Sequence, residues 1–401
     1  MHEGAAPKLD RTLSLPLLVF YGLGVTVGAG IFALVGEIIG VAGINAPLSF
    51  LLAGTIAGFT GVSYMFLVRE FPRAGGEAVY VRRGIGDVAG QVAGIGVIAT
   101  AIVSSAAISL AFAGYVASLV DIPEKLTATL LVAVLCLVAL AGVRESVVLA
   151  AVITVLEVGT LIIVAVLGLD LVTFDGIANA FSPAGTDLSA VLTGSGIAFF
   201  AFIGFEDVAN MAEETVDPRR TAPRAILITL IATVIIYVLL AIIAVSVPDP
   251  GAIADSSAPM STLFEAVTGR GGSSISTIAS FAMLNGVLVQ VVVASRVLYG
   301  MAADGQLHHW LAVIEPERQT PVRATLLVAG AIAVLAVLFP LVELARITSI
   351  ITLAVFTAVN VALVRLARSG ALRIGRWWLN GVIGAIVAAA LGVWQFTEVV
   401  L

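Results

Sequence analysis

Long apolar runs separated by short charged connections set the pattern of this chain. Eleven runs are long enough for membrane-spanning helices, at roughly 20 apolar residues per crossing. They cover residues 14–37, 44–68, 87–119, 126–143, 147–169, 188–211, 223–247, 274–303, 322–340, 342–364 and 378–398. The pattern predicts an all-α integral membrane protein of about eleven transmembrane helices.

Two runs are interrupted by glycine. The first holds Phe20–Phe32, FYGLGVTVGAGIF, with Gly28-Ala29-Gly30 near its middle. The sixth holds Gly194, Gly196 and Gly204, followed by Glu206, Asp207 and Asn210. Glycine weakens a helix by up to about 1 kcal/mol relative to alanine and lets another molecule approach the backbone. Within hydrocarbon, free backbone groups are tolerated where protein, water or a ligand satisfies them. The glycines therefore mark either helix breaks that bind something polar or small-residue contacts between helices. Breaks at matching places in two halves point to an inverted-repeat transporter. Four runs lie between the two broken ones, giving a repeat of five, and the third and eighth runs are the longest of their halves.

Composition agrees with a membrane protein: 60% of residues are hydrophobic and 11% charged, against about 25% charged in soluble domains. Mean hydropathy is +1.12. Of 20 basic residues, 16 fall on one side if the N-terminus is cytoplasmic; these are Lys8, Arg11, Arg69, Arg73, Arg82, Arg83, Arg144, Arg219, Arg220, Arg224, Arg318, Arg323, Arg365, Arg368, Arg373 and Arg376. The excess of basic residues places that side in the cytoplasm, and eleven spans place the C-terminus outside. The plasma or inner membrane is the expected location. Outer connections 170–187 and 248–273 read as ordinary solvated loops. Cys136 stands alone in an apolar run, which excludes an internal disulfide and a cysteine metal site. No A-x-A cleavage site follows the first run, so it is expected to stay as structure. No enzyme motif, metal spacing or nucleic-acid patch appears, and no cofactor is expected.

Several stretches resemble the amino acid–polyamine–organocation permeases: GVTVGAGIF at 24–32, FPRAGGEAVY at 71–80, AFIGFEDVANMAEE at 201–214, DPRRTAPRAI at 217–226 and SRVLYGMAADGQL at 295–307. They follow the order found in that family and cover about residues 12 to 370. The resemblance implies a LeuT-like five-plus-five inverted repeat, 14–169 and 188–364, with a cytoplasmic segment at 1–13 and an added helix at 378–398. It implies discontinuous first and sixth helices and a secondary active transporter working by alternating access.

In that family the substrate carboxylate meets backbone N–H groups of the first break, here Thr26, Val27, Gly28, Ala29, Gly30 and Ile31. A half-helix N-terminus supplies free donors and partial positive charge. The amino group meets carbonyls around the second break, here Phe202, Ile203 and Phe205, with Gly204 and Glu206 completing the site. Phe202 matches an aromatic gate, and plain packing among its phenylalanine neighbours is the other reading. The expected partners are an amino acid or related amine, a coupling ion and the bilayer; oligomeric state is not assigned.

Coupling centres on Glu157. Eleven residues from a helix start near Ser146 place it roughly 16 Å deep, where some proton-coupled relatives carry a lysine. It reads as a proton carrier, a sodium ligand or a carboxyl that joins helices. The inner half of the eighth run, between Gly286 and Ala294, offers Gln290 but no hydroxyl, which favours protons. Sodium coupling, exchange and a non-transporting amino acid sensor remain the other readings. Arg296, inside the eighth run, is expected to pair with an inner-side acid or backbone carbonyls and close a cytoplasmic gate. Glu343 and Arg346 are expected to form a local pair. His308 and His309 read as solvated loop residues.

Overall fold

The computed structural model describes residues 11–72, 75–142, 147–182, 186–315 and 320–400, and side chains at 147–150 are outside that description. Lys8, Arg73, Arg144, Ser146 and Arg318, on which parts of the topology expectation rest, lie outside the described residues. The described residues form sixteen α-helices: α1 (Leu15–Ala42), α2 (Ala46–Glu70), α3 (Gly76–Gly84), α4 (Asp87–Ala117), α5 (Glu124–Leu140), α6 (Val147–Gly168), α7 (Phe174–Ala180) and α8 (Leu188–Phe200) come first. Then follow α9 (Asp207–Asn210), α10 (Pro218–Ser246), α11 (Pro250–Ala254), α12 (Pro259–Thr268), α13 (Ser273–Ala303), α14 (Val322–Leu338), α15 (Leu341–Arg368) and α16 (Trp378–Val400).

Every expected run coincides with a helix, and the run 188–211 is divided into α8 and α9. Among the described residues, seven helical stretches are long and apolar enough to cross a membrane; one of them, 15–70, bends at residues 43–45 between α1 and α2. Two shorter apolar helices, α8 and α14, join them. Prolines at the first turns of α1, α2 and α10 suit helix starts, where their missing N–H costs nothing.

The core forms around α1. Residues 26–36 of that helix are buried without a gap, as expected for a helix apolar on all faces. It packs against α6, α8 and α10, while α2 lies along α10 and α4 lies along α13 and α15. Buried polar side chains pin this packing. Asn360 of α15 donates through Nδ2 to Thr60 Oγ1 at 2.9 Å and to the Phe356 carbonyl at 2.8 Å, and its Oδ1 accepts from Ser63 at 2.6 Å. An amide in hydrocarbon needs such partners, and here they join α2 to α15.

The connections differ from expectation in two places. The segment 69–86 contains helix α3, with Glu77, Tyr80 and Val81 buried. The connection 248–273, expected as an outer solvated loop, is not a simple loop: it forms α11 and α12, and Ile253, Met260 and Leu263 are buried. The reason lies in those apolar side chains, which bring α11 and α12 against the C-terminal half of α1. Tyr115 of α4 fastens this cover. Its hydroxyl donates to the Phe32 carbonyl at 2.7 Å and accepts from the Met260 N–H at 3.1 Å. We predict that Tyr115→Phe lowers unfolding stability in detergent by about 1–3 kcal/mol, since it strands two buried backbone groups. Thermal melting checks this, and an unchanged midpoint would show that the cover is held by packing alone.

Candidate functional site

Both expected breaks are present, and they meet. Helix α1 leaves helical geometry at Gly28, with φ −26° and ψ −125°. Helix α8 ends at Phe200, and residues 201–206 form turns before α9 begins. Gly204 has φ +122°, a conformation that L side chains rarely adopt. A Cβ on Gly204 would lie 2.9 Å from the Val25 carbonyl oxygen, and one on Gly30 would lie 2.5 Å from Ala201 Cα. The two breaks thus cross backbone against backbone, and glycine is what permits the approach.

Tyr237 of α10 ties them together. Its hydroxyl lies 3.0 Å from the Thr26 carbonyl and 3.0 Å from the Ala201 carbonyl. One proton faces two acceptors, so the hydroxyl serves one break at a time. The residue is fully buried, with its ring edge-on to Phe202 and Phe50, centroids 5.2 and 5.7 Å apart. Sequence reasoning missed Tyr237, although a lone tyrosine in the apolar run 223–247 was a usable signal.

A cavity of about 670 Å³ lies against this crossing, within the usual range for small-molecule sites. Of the expected site residues, Gly28, Ala29, Ile203, Gly204, Glu206 and Arg296 line it. Thr26, Val27, Gly30, Ile31, Phe202 and Phe205 are buried behind the wall. Phe202 packs on Tyr237 in this arrangement and does not line the cavity. The carbonyls of Phe202 and Ile203 accept no hydrogen bond among the described residues, whereas that of Phe205 accepts from Val208 N–H at 3.3 Å. The far wall is polar, with Thr100 and Ser104 of α4, Asn285 and Gln290 of α13, and Thr352 of α15. Gln290 Oε1 accepts from Ser104 and from Ser105, the latter at 3.1 Å.

The cavity continues to the end of the bundle where α1 starts, since Leu13, Leu17, Met211 and Glu214 also line it. There a short pairing of backbones joins the segments that flank the broken helices. Leu13 N–H donates to the Glu214 carbonyl at 3.0 Å, and Val216 N–H donates to the Leu13 carbonyl at 2.9 Å.

Four acidic residues line the cavity, Glu77, Glu206, Asp207 and Glu214, and among the described residues Arg296 is the one basic residue that does. Glu206 folds back so that its Oε2 accepts from Gly204 N–H at 2.8 Å, and Asp207 Oδ1 accepts from Asn210 Nδ2 at 3.1 Å. Glu77 accepts from the Tyr64 hydroxyl at 2.8 Å. Burial pushes the Glu77 carboxyl up to about 7, and the Asp207 charge adds to this against the opposing hydrogen bonds from backbone and Tyr64. The Tyr64 ring sits edge-on to Tyr80, Phe205 and Phe356, which carries the second break on an aromatic cluster.

Three further expectations resolve as follows. Arg296 makes no ion pair among the described residues. It is exposed on the cavity, which reaches the end of the bundle where α1 starts, so no gate is closed by a pair here. Glu343 and Arg346 do not pair either: Arg346 Nε is buried without a hydrogen bond, and the opposite charge that acts across to Arg346 belongs to Glu37 of α1. Glu157 is buried, does not line the cavity, and keeps Oε2 without a hydrogen bond.

A family model described as amino acid permease matches residues 13–400. The chain belongs to the amino acid permease family. Among the permease's relatives is an uncharacterized transporter of Mycobacterium tuberculosis, 33% identical over 343 residues, spanning 82% of this chain and 74% of that protein. Cationic amino acid transporter 1 of Arabidopsis thaliana is 28% identical over 385 residues, 90% of this chain and 64% of that one. The branched-chain amino acid permease BcaP of Bacillus subtilis is 27% identical over 384 residues, 90% and 82% of the two chains. Family and apolar helices together make this permease a multi-pass membrane transport protein and not an enzyme.

Two predictions test the permease's site. Gly30→Ala should lower the melting midpoint in detergent by several degrees, because its Cβ meets the Ala201 backbone, while Gly28→Ala, which meets nothing within 4 Å, should cost less. Equal losses would mean that the crossing can relax. The second concerns pH. With its pKa raised from 4.5 to about 7, Glu77 holds its proton in the folded state after the unfolded chain has released its own. Its contribution is therefore most favourable at acid pH and is lost as pH rises from about 4.5 to about 7, by of the order of 3 kcal/mol. Glu77→Gln should flatten that part of the stability profile. Glu206 and Asp207 face the same space, so the comparison is the difference between the two profiles; parallel profiles would count against the assignment.

Proposed function

We propose that this permease is a secondary active transporter of amino acids or related amines, working by alternating access around the two broken helices. The observation that carries the reading is the crossing of the Gly28 and Gly204 breaks at the wall of a cavity that Ile203 lines; the carbonyls of Ile203 and, behind that wall, Phe202 accept no hydrogen bond among the described residues. A substrate carboxylate meets the N-terminal end of the outer half of α1, and its ammonium meets those carbonyls. Thr26, Val27, Gly30, Ile31 and Phe205 shape the two breaks from behind, and Phe202 moves over the substrate as the gate during closure. The reading includes eleven spans arranged as two inverted repeats, 14–169 and 188–364, with 378–398 added. It places the protein in the plasma or inner membrane with a cytoplasmic N-terminus and an outside C-terminus. The cavity, open towards Leu13 and Glu214 and covered at the far end by α11 and α12, is then the inward-facing form.

The acid-rich lining favours substrates with an extra positive charge, such as lysine, arginine or a diamine, over branched-chain amino acids. The relative named as a cationic amino acid transporter agrees with this, and the one named as a branched-chain permease makes it a choice to test. Uptake into proteoliposomes, measured with a labelled amino acid panel, should be saturable and strongest for the cationic members. Absence of uptake across the panel would overturn the transporter reading, and preference for leucine or isoleucine would overturn the substrate class.

Coupling is assigned to Glu157 as a proton carrier, because a buried carboxyl with an unpaired oxygen beside α1 changes its needs with each proton it takes up. An inward proton gradient should increase accumulation at least several-fold in sodium-free buffer. Glu157→Gln should abolish that gain while substrate exchange persists. Dependence on sodium in place of the proton gradient, or normal accumulation by the variant, would reject this role.

A further inference from the structure

The connection between α15 and α16 carries Arg365, Arg368, Arg373 and Arg376, and no Asp or Glu occurs from 365 to 397. All four arginines are exposed, and none forms an ion pair among the described residues. This differs from other basic positions at the same end of the bundle, where Arg82 faces Asp87 at 3.9 Å and Arg220 faces Asp217 at 3.8 Å. Beside the connection lies an open groove of about 480 Å³ between α2 and α16. Phe59, Trp377, Leu379 and Ile383 give it apolar walls, and Arg376 is the one charged residue that lines it among the described residues.

The surroundings orient the groove in the membrane. Trp377 stacks against Phe66 near the end of α2 with centroids 5.7 Å apart, which places the mouth at the end of the bundle where α1 starts. Arg368 holds its guanidinium over the Trp378 ring, 4.9 Å from the centroid. Two tryptophans at this level are the usual markers of the membrane–water interface. Below the mouth, Leu379, Ile383 and Ile386 are exposed at successive helical turns, at 46%, 44% and 62%, as for a surface that meets acyl chains. The nearby acid on α2, Glu70, is adjacent to Arg69, so it does not offset the four arginines.

We propose that this groove is a binding site for an anionic phospholipid. The phosphate is held at the mouth by Arg376 with Arg368 and Arg373 around it, and an acyl chain lies along Phe59, Leu379 and Ile383. A freely soluble phosphate ester lacks the chain that the apolar walls receive, and a zwitterionic lipid lacks the net charge that unpaired arginines attract. Each arginine near an anionic surface contributes roughly fivefold in binding, so the cluster gives a preference and the groove gives a place. A lipid held there bridges α2 and α16, adding to the contacts that Trp377 makes with Phe66 and that Asn380 makes with the Phe59 carbonyl and Ser63.

The test uses the full-length protein, purified and delipidated in neutral detergent. Phosphatidylglycerol, phosphatidylcholine and glycerol 3-phosphate are added in turn, and bound lipid is counted by native mass spectrometry with the melting midpoint followed in parallel. Phosphatidylglycerol should bind at least tenfold more tightly than phosphatidylcholine and raise the midpoint by several degrees, while glycerol 3-phosphate should do neither. The combined variant Arg368→Gln, Arg373→Gln and Arg376→Gln should lose that preference at an unchanged lipid-free midpoint. Neutralising Arg82 and Arg83 of α3 in the same way should leave it intact. Should the triple variant fold poorly, Arg376→Gln alone is expected to weaken phosphatidylglycerol binding several-fold. Equal binding of the two lipids, binding of glycerol 3-phosphate alone, or an unaltered preference in the arginine variants would overturn the proposal.

Discussion

The structure depends on two interrupted helices that touch at their interruptions. A chain crossing hydrocarbon normally satisfies its backbone within each helix. Here that rule is relaxed twice, at Gly28 and at 201–206, and the two exceptions compensate each other. Gly204 rests on Val25, Gly30 rests on Ala201, and the Tyr237 hydroxyl reaches a carbonyl from each side. Of the two unbonded carbonyls at the second break, that of Ile203 belongs to a residue that lines the cavity. The surrounding helices α6, α8 and α10 hold the broken ends in place.

The flanking segments extend this arrangement to both ends of the bundle. At the end where α1 starts, the backbone pairing of Leu13 with Glu214 and Val216 joins the lead-in of α1 to the segment after α9. At the opposite end, α11 and α12 are fastened by Tyr115 to the Phe32 carbonyl. One end therefore joins the segments that flank the two breaks, and the other covers them. The cavity reaches the joined segments at Leu13 and Glu214. The acids at 77, 206 and 207 sit between, supported by the aromatic cluster around Tyr64.

Much of this was legible in the sequence. Apolar runs gave the positions of the helices, because length and hydrophobicity are local and the bilayer imposes both. Glycine placement gave the breaks, because no other residue offers the same backbone freedom. The order of short motifs gave the family. Other features were not legible. The pairing expected for Arg296 failed because it rests on a neighbour from another helix, and an open cavity leaves the guanidinium to solvent. Glu343 and Arg346 have the right spacing for a pair, but Arg346 is half-buried with Nε unbonded, and the opposite charge near it is that of Glu37. Asn360, with partners on α2 some 300 positions away, carried no local signal at all. Glu77 stood inside a recognised motif, yet its burial beside Tyr64 and Asp207 depends on α3 folding under α9.

By itself the sequence determined that the chain is a multi-helix membrane protein, where its helices run, which two of them break and to which family it belongs. The first three follow from composition, periodicity or local backbone freedom, which a residue carries wherever it lies, and the family follows from the resemblance of its short motifs. Only the tertiary structure decided that the breaks cross, that Tyr237 spans them, that Phe202 turns away from the cavity and that the space opens at one end. Those are relations between helices that lie far apart in the chain. They depend on packing distances of a few ångströms, and no local pattern encodes such distances.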